Sequence, residues 1–184
     1  MPSEILVTNL LSNNAQVQEA FGNGGEVDLF GSLGVKNTIG TLSGPALFSS
    51  LIDLSLATSE ASTGNLLVGF LDPFSTGNGF DELRFLMSVN GQTVAEQTFT
   101  DLALALAFFD DSVIDIDSST LGGGEILNLR FELNVLLSSA NDGFNLNFLA
   151  GTAAVPAPAG IWLLLTALGA VMHRSWRQAS RKLQ

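Results

Sequence analysis

The chain has 184 residues and a formal net charge of −11, is rich in Gly, Leu, Phe, Asn, Ser and Thr, and contains neither cysteine nor tyrosine. The missing cysteine excludes disulfides, zinc–thiolate centres and cysteine nucleophiles together, and the length suits one domain with its own core plus a tail. The single histidine is His173, so the body ahead of it lacks the imidazole that a Ser-His-Asp triad, a Cys-His pair or a His-ligated metal needs.

Charge is divided along the chain. All eighteen acidic residues fall between Glu4 and Asp142, opposed only by Lys36, Arg84 and Arg130, which gives residues 1–158 a formal charge of −15. The remaining basic residues, Arg174, Arg177, Arg181 and Lys182, follow an apolar stretch. An acidic body repels phosphate backbones, which argues against nucleic-acid binding. A cationic cluster just past an apolar segment is what a cytoplasmic end carries.

The opening "MPSEILVTNLLSNNAQ" has no basic start, no long apolar run and no small-residue cleavage site, so it does not read as an export leader. If the body is exported, the expectation is that the true start lies upstream of Met1. From about Glu26 to Gly151 the hydrophobic period is mostly two, the mark of half-buried strands. Val27–Phe30, Leu47–Ala57 and Asn65–Leu71 read as strands. Glu82–Thr100 reads as a hairpin turned at Asn90-Gly91.

"TDLALALAFFDD" (Thr100–Asp111) breaks the alternation and predicts a short helix, with Thr100 as N-cap and Asp101 in the first turn. In "EILNLRFELNVLL" (Glu125–Leu137), Leu127, Leu129, Phe131, Leu133 and Val135 alternate with polar residues. "SSANDGFNLNF" (Ser138–Phe148) turns at Asn141-Asp142-Gly143 into another strand. Seven or eight short strands between turn signals predict a mainly β fold, an antiparallel β-sandwich of jelly-roll type with one short helix, spanning residues 1–150.

Calcium needs only oxygen ligands, so it survives the absence of histidine and cysteine. "TGNGFDEL" (Thr76–Leu83), carrying Asp81, differs by one residue from a single Gly-Gly-x-Gly-x-Asp-x-Leu calcium turn. Those turns share ions when stacked and no tandem copy exists here, so a plain turn entering a strand is the simpler reading. "DDSVIDID" (Asp110–Asp117) places Asp115 and Asp117 at two-residue spacing on one strand face, either solvated or able to meet a hard cation. "LGGGEI" (Leu121–Ile126) lacks the Lys-Ser/Thr of a phosphate loop and precedes a strand, so it reads as a loop. No cofactor is expected, and no catalytic residue is assigned.

Gly151–Pro158 is an Ala/Pro-rich linker, and no residue from Gly143 to Met172 is charged. Pro158 disfavours a helix through itself and favours one starting just after it. Ala159–Met172, fourteen residues, rises roughly 21 Å against a hydrocarbon core of about 30 Å. Extending the helix to Trp176, with Arg174 snorkelling and Trp162 and Trp176 at the interfaces, gives a short membrane helix over about 159–176. Ala159, Ile161, Leu163, Leu164, Leu165, Leu168, Gly169 and Val171 form its apolar body, and the polar face that a core or interfacial helix would show is missing.

The order Val155-Pro156-Ala157-Pro158-Ala159, then Trp162, Leu163–Leu165, Leu168-Gly169 and Arg174 with Arg177, resembles the PEP-CTERM protein-sorting signal in its VPxPA-type form. Ala157 stands where that family usually has glutamate, and the arginines are spaced instead of consecutive. The resemblance covers about residues 155–182. It implies a Gram-negative source and recognition by an exosortase, an integral-membrane cysteine transpeptidase-like enzyme. Cleavage near the Pro-x-Pro would follow, with release or re-anchoring of the body at the cell surface or in the extracellular polysaccharide of a biofilm.

The expectation is thus an exported, non-enzymatic surface or matrix protein. It would pass through the inner membrane with its C-terminus cytoplasmic, and would partner an exosortase and extracellular polysaccharide. The alternatives are a carbohydrate- or calcium-binding adhesion module, a carboxylate-based glycosidase or lyase, and an uncut membrane-anchored periplasmic domain.

Overall fold

The structure is a computed structural model, described for residues 9, 11–22, 26–38, 44–57, 65–117 and 126–152. Within these residues the chain is mainly β, with two antiparallel sheets and few helices. In chain order the elements are α1 (Ala15–Phe21), β1 (Glu26–Lys36), β2 (Ala46–Ala57), β3 (Leu66–Thr76), β4 (Glu82–Val89), β5 (Gln92–Phe99), α2 (Leu102–Phe109), β6 (Ser112–Ile116), β7 (Ile126–Leu137) and β8 (Gly143–Thr152). Each sheet has four strands. The first runs β1-β8-β3-β6 and the second β2-β7-β4-β5.

The alternation read from the sequence sorts side chains as expected. On β7, Leu127, Leu129, Phe131, Leu133 and Val135 are buried while the residues between them are more exposed. Those leucines and phenylalanines share one core with Phe144, Leu146 and Phe148 of β8, in the opposite sheet. The Phe131 and Phe148 rings, one from each sheet, lie 4.3 Å apart between centroids.

The β4–β5 hairpin turns at Asn90-Gly91, both with positive φ (50° and 80°), the backbone that suits the right-handed strand twist. Strand β1 runs well past the expected Phe30, pairing with β8 as far as Lys36↔Gly143. β8 itself continues to Thr152, two residues into the stretch expected to be linker.

Helix α2 is present, but its cap differs from the expectation. Asp101, not Thr100, takes the extended N-cap backbone, and its carboxylate accepts the N–H of Leu104 at 3.1 Å. A carboxylate there satisfies an orphan donor and meets the positive end of the helix dipole. The helix buries Ala105 and Phe109. The Phe109 ring sits 5.3 Å from both Phe70 and Phe85, 4.9 Å from Phe108, 5.8 Å from Phe144 and 5.9 Å from Phe99. This cluster joins β3, β4, β5 and β8 at one end of the sheets.

Helix α1 is an element that the strand periodicity did not announce. It lays Val17 and Phe21 against Leu67, Leu71 and Leu149 on the outer face of the first sheet. Gly69 makes the seat, since a Cβ there would stand 2.5 Å from Val17 Cγ1. Asn14 makes no side-chain cap bond to this helix. The carboxylate of Asp111 does that work from across the chain, accepting Gln16 N–H at 2.8 Å and Val17 N–H at 2.9 Å.

Truncating Phe109 to alanine opens the ring cluster and is expected to cost about 3–5 kcal/mol in chemical denaturation. Leu104→Ala, on the same helix but 64% exposed, is expected to stay within about 0.5 kcal/mol of the parent.

Candidate functional site

The residues singled out for sorting are Val155, Pro156, Ala157, Pro158, Trp162, Arg174 and Arg177. With the apolar segment Ala159–Val171, they lie outside the described residues. What the structure does describe is how the chain arrives there. β8 is a central strand, paired antiparallel to β1 on one side and to β3 on the other. Its last residue, Thr152, still lies opposite both Glu26 and Leu66. The chain divides into two units, Met1–Ala154 and Val155–Gln184, and the division coincides with the first residue of the Val-Pro-Ala-Pro-Ala motif. Among the described residues no helix is long and apolar enough to cross a membrane.

The start of β8 is fixed by a buried polar turn. Asp142 is 5% exposed, and its carboxylate accepts Asn78 N–H at 2.8 Å and Ser139 N–H at 3.2 Å. Asn37, fully buried, donates its backbone N–H to Asp142 O at 2.9 Å and its side-chain amide to Ser139 O at 2.9 Å. Asn141 N–H returns to Asn37 O at 2.9 Å. Three connections, after β1, β3 and β7, are thereby tied to one carboxylate and one amide. Sequence reading marks Asn141-Asp142-Gly143 as a turn but gives no sign of Asn37 as its partner, because the two lie a hundred residues apart.

The three carboxylates considered for calcium are distributed over different places. Asp81 is exposed ahead of β4 and accepts a hydrogen bond from the Ser138 hydroxyl. Asp115 is exposed on β6, in the other sheet, and accepts from Asn65 Nδ2 at 2.8 Å. Asp117 is exposed one residue past the end of β6. Among the described residues no group of three His, Cys, Asp or Glu side chains stands where it could hold a metal ion. The "TGNGFDEL" stretch is a turn between β3 and β4, with Gly77 and Gly79 at positive φ.

The outer face of the second sheet is largely polar, with Ser88 buried and Leu47 and Leu51 exposed among its side chains. Reading across the strands, Ser49, Asn134, Arg84 and Thr98 form one row, and Asp53, Arg130, Ser88 and Thr93 form another. Arg84 binds Glu96 at 2.6 Å, and Arg130 sits 3.8 Å from Asp53 and 3.9 Å from Glu132. The carboxylates Asp53 and Glu132 therefore share one counter-ion on an exposed sheet surface. Of the thirteen phenylalanines, all within the described residues, Phe74 alone is exposed, at 50%.

No protein-family model matches the chain, and a search of curated proteins gives no match either.

Replacing Asp142 with alanine removes the acceptor of two part-buried backbone donors, Asn78 N–H and Ser139 N–H, which is expected to cost about 1–3 kcal/mol. The reverse change is available nearby. Thr76 Oγ1 is buried with no hydrogen-bond partner among the described residues, so Thr76→Val is expected to leave the thermal midpoint unchanged or raise it.

Proposed function

We propose that this chain is an exported, non-enzymatic surface or extracellular-matrix protein, delivered and cut by an exosortase that reads its C-terminal segment. The observation that carries the reading is the three-part order at the carboxyl end: Val155-Pro156-Ala157-Pro158-Ala159, an uncharged apolar run to Met172 that includes Trp162, and then Arg174, Arg177, Arg181 and Lys182. The prolines favour an extended strip, open to a protease that binds backbone. A span short of the usual length holds the substrate only transiently. The cations keep the far end cytoplasmic, which sets the acidic body on the outer side of the inner membrane.

The body suits that role. Apart from the β4–β5 hairpin, each strand is followed by one in the other sheet, in the orders 1-8-3-6 and 2-7-4-5, which supports reading it as a jelly roll. An acidic surface rich in Asn, Ser and Thr stays solvated in a polysaccharide matrix. The competing readings have less to stand on. A sugar-stacking surface would call for exposed aromatic rings, and Phe74 is the one phenylalanine that offers itself. A carboxylate-based glycosidase would need two acids flanking a cleft at roughly 5–10 Å. Asp53 and Glu132 instead lie around Arg130 on an open sheet face.

The test is the intact mass of the mature protein, exported behind a supplied leader in a host that carries an active exosortase. The expected product lacks Trp162–Gln184, and a Pro156→Ala/Pro158→Ala variant keeps them. A wild-type chain that still ends at Gln184 in that host overturns the cleavage.

A further inference from the structure

The two sheets have four edge strands, and three of them carry features that discourage pairing with another chain. β6 is only five residues long. β5 bulges against β4 between Met87 and Ser88 and carries Glu96, with Gln and Thr for company. β1 shifts register between Val27 and Leu29 and ends on Lys36. Short length, bulges and charge are the usual means of blunting a sheet edge.

β2 has none of them. It pairs with β7 through twelve consecutive positions without a shift, from Ala46↔Leu137 to Ala57↔Ile126, and among the described residues it pairs with no other strand. Within its span the one charged residue is Asp53, which already lies 3.8 Å from Arg130. Its inward Phe48, Ile52 and Leu54 pack on the core only partly buried. On its outward face, Leu47 and Leu51 stand 67% and 47% exposed, two of the five large exposed apolar side chains among the described residues.

We propose that β2 is a self-association edge. Two copies pair antiparallel, β2 to β2, about a two-fold axis through Ser49, fusing their second sheets into one sheet of eight strands.

The partner is a second copy because the pattern is complementary to itself. Outward residues of an antiparallel pair must meet outward residues, so few registers are open to β2. An axis at Ser49 sets Leu47 of each copy against Leu51 of the other, and covers both exposed leucines twice over. An axis at Ser50 sets Leu47 against Asp53, and one at Ile52 sets Leu51 against Asp53. An axis at Leu51 leaves Leu47 facing Ser55. In the Ser49 register the ladder covers residues 46–52 of each copy and stops where Asp53 would face Pro45. The two Asp53 carboxylates then lie about 27 Å apart along the strands, well beyond a Debye length of about 8 Å. The strip is close to neutral on an otherwise acidic body, so added salt, which screens the bodies from each other, favours the pair. None of this depends on the sorting reading.

Since the chain has no cysteine, single-cysteine variants of the full chain in mild detergent report the register directly. Cβ atoms of residues directly opposite in an antiparallel pair are about 4.5–5.5 Å apart, close to disulfide reach. Under mild oxidation Ser49→Cys is expected to give a covalent dimer at least about tenfold faster than Asp53→Cys. Adding Leu51→Lys to Ser49→Cys is expected to abolish that advantage, and raising the salt to increase it. Equal cross-linking at positions 49 and 53, or cross-linking at 49 that is indifferent to the lysine, overturns the proposal. A circular-dichroism melt within a few degrees of the parent shows that each variant is folded when read.

Discussion

Everything in the described body depends on two sheets being held face to face by phenylalanine. With no disulfide, tyrosine or body tryptophan available, the rings carry the packing. Phe131 meets Phe148 between the sheets, and Phe109 on α2 gathers Phe70, Phe85, Phe99, Phe108 and Phe144 at one end. Edge-to-face contacts of this kind add to the burial of the rings themselves. The two sheets then differ in what their outer faces can do. The first carries an apolar patch outside as well, Leu67, Leu71 and Leu149, on which α1 packs. The second turns a lattice of Ser, Asn, Thr, Arg and Glu outward, broken only by a few leucines.

What could be read in the sequence was whatever local chemistry decides. Asn90-Gly91 between alternating runs gives its hairpin because the turn needs those backbone angles and few residues accept them. β7 declares itself through the alternation from Leu127 to Val135. The fold class, two antiparallel sheets with few helices, follows from such segments added together. Where a distant partner decides, the pattern is silent. "GSLGV" looks like the end of a strand at Phe30, yet Gly31 sits opposite Phe148, and a Cβ there would run into that ring. A glycine that makes room for an aromatic ring resembles a glycine that makes a turn. Helix α1 is similar, being seven residues of ordinary composition whose N-terminus is satisfied by Asp111 from about ninety positions away.

The candidate site shows the same division. The C-terminal signal is a local arrangement of prolines, apolar residues and cations, and can be read by eye. The Asn37–Asp142 knot and the bare β2 edge need the fold, because each depends on which strands become neighbours. Among the acids, the sequence drew attention to Asp115 and Asp117, whereas Asp111 in the same run holds the N-terminus of a helix.

The placement of β8 carries a mechanical implication. Its ladder bonds lie perpendicular to the strand, and it has a neighbour on each side up to Thr152. A pull applied through the residues beyond Thr152 runs along the strand axis, so the bonds on both flanks bear the load together instead of opening one after another. A body tethered by that end would resist drag as a sheared sheet resists it, and would fail late and all at once.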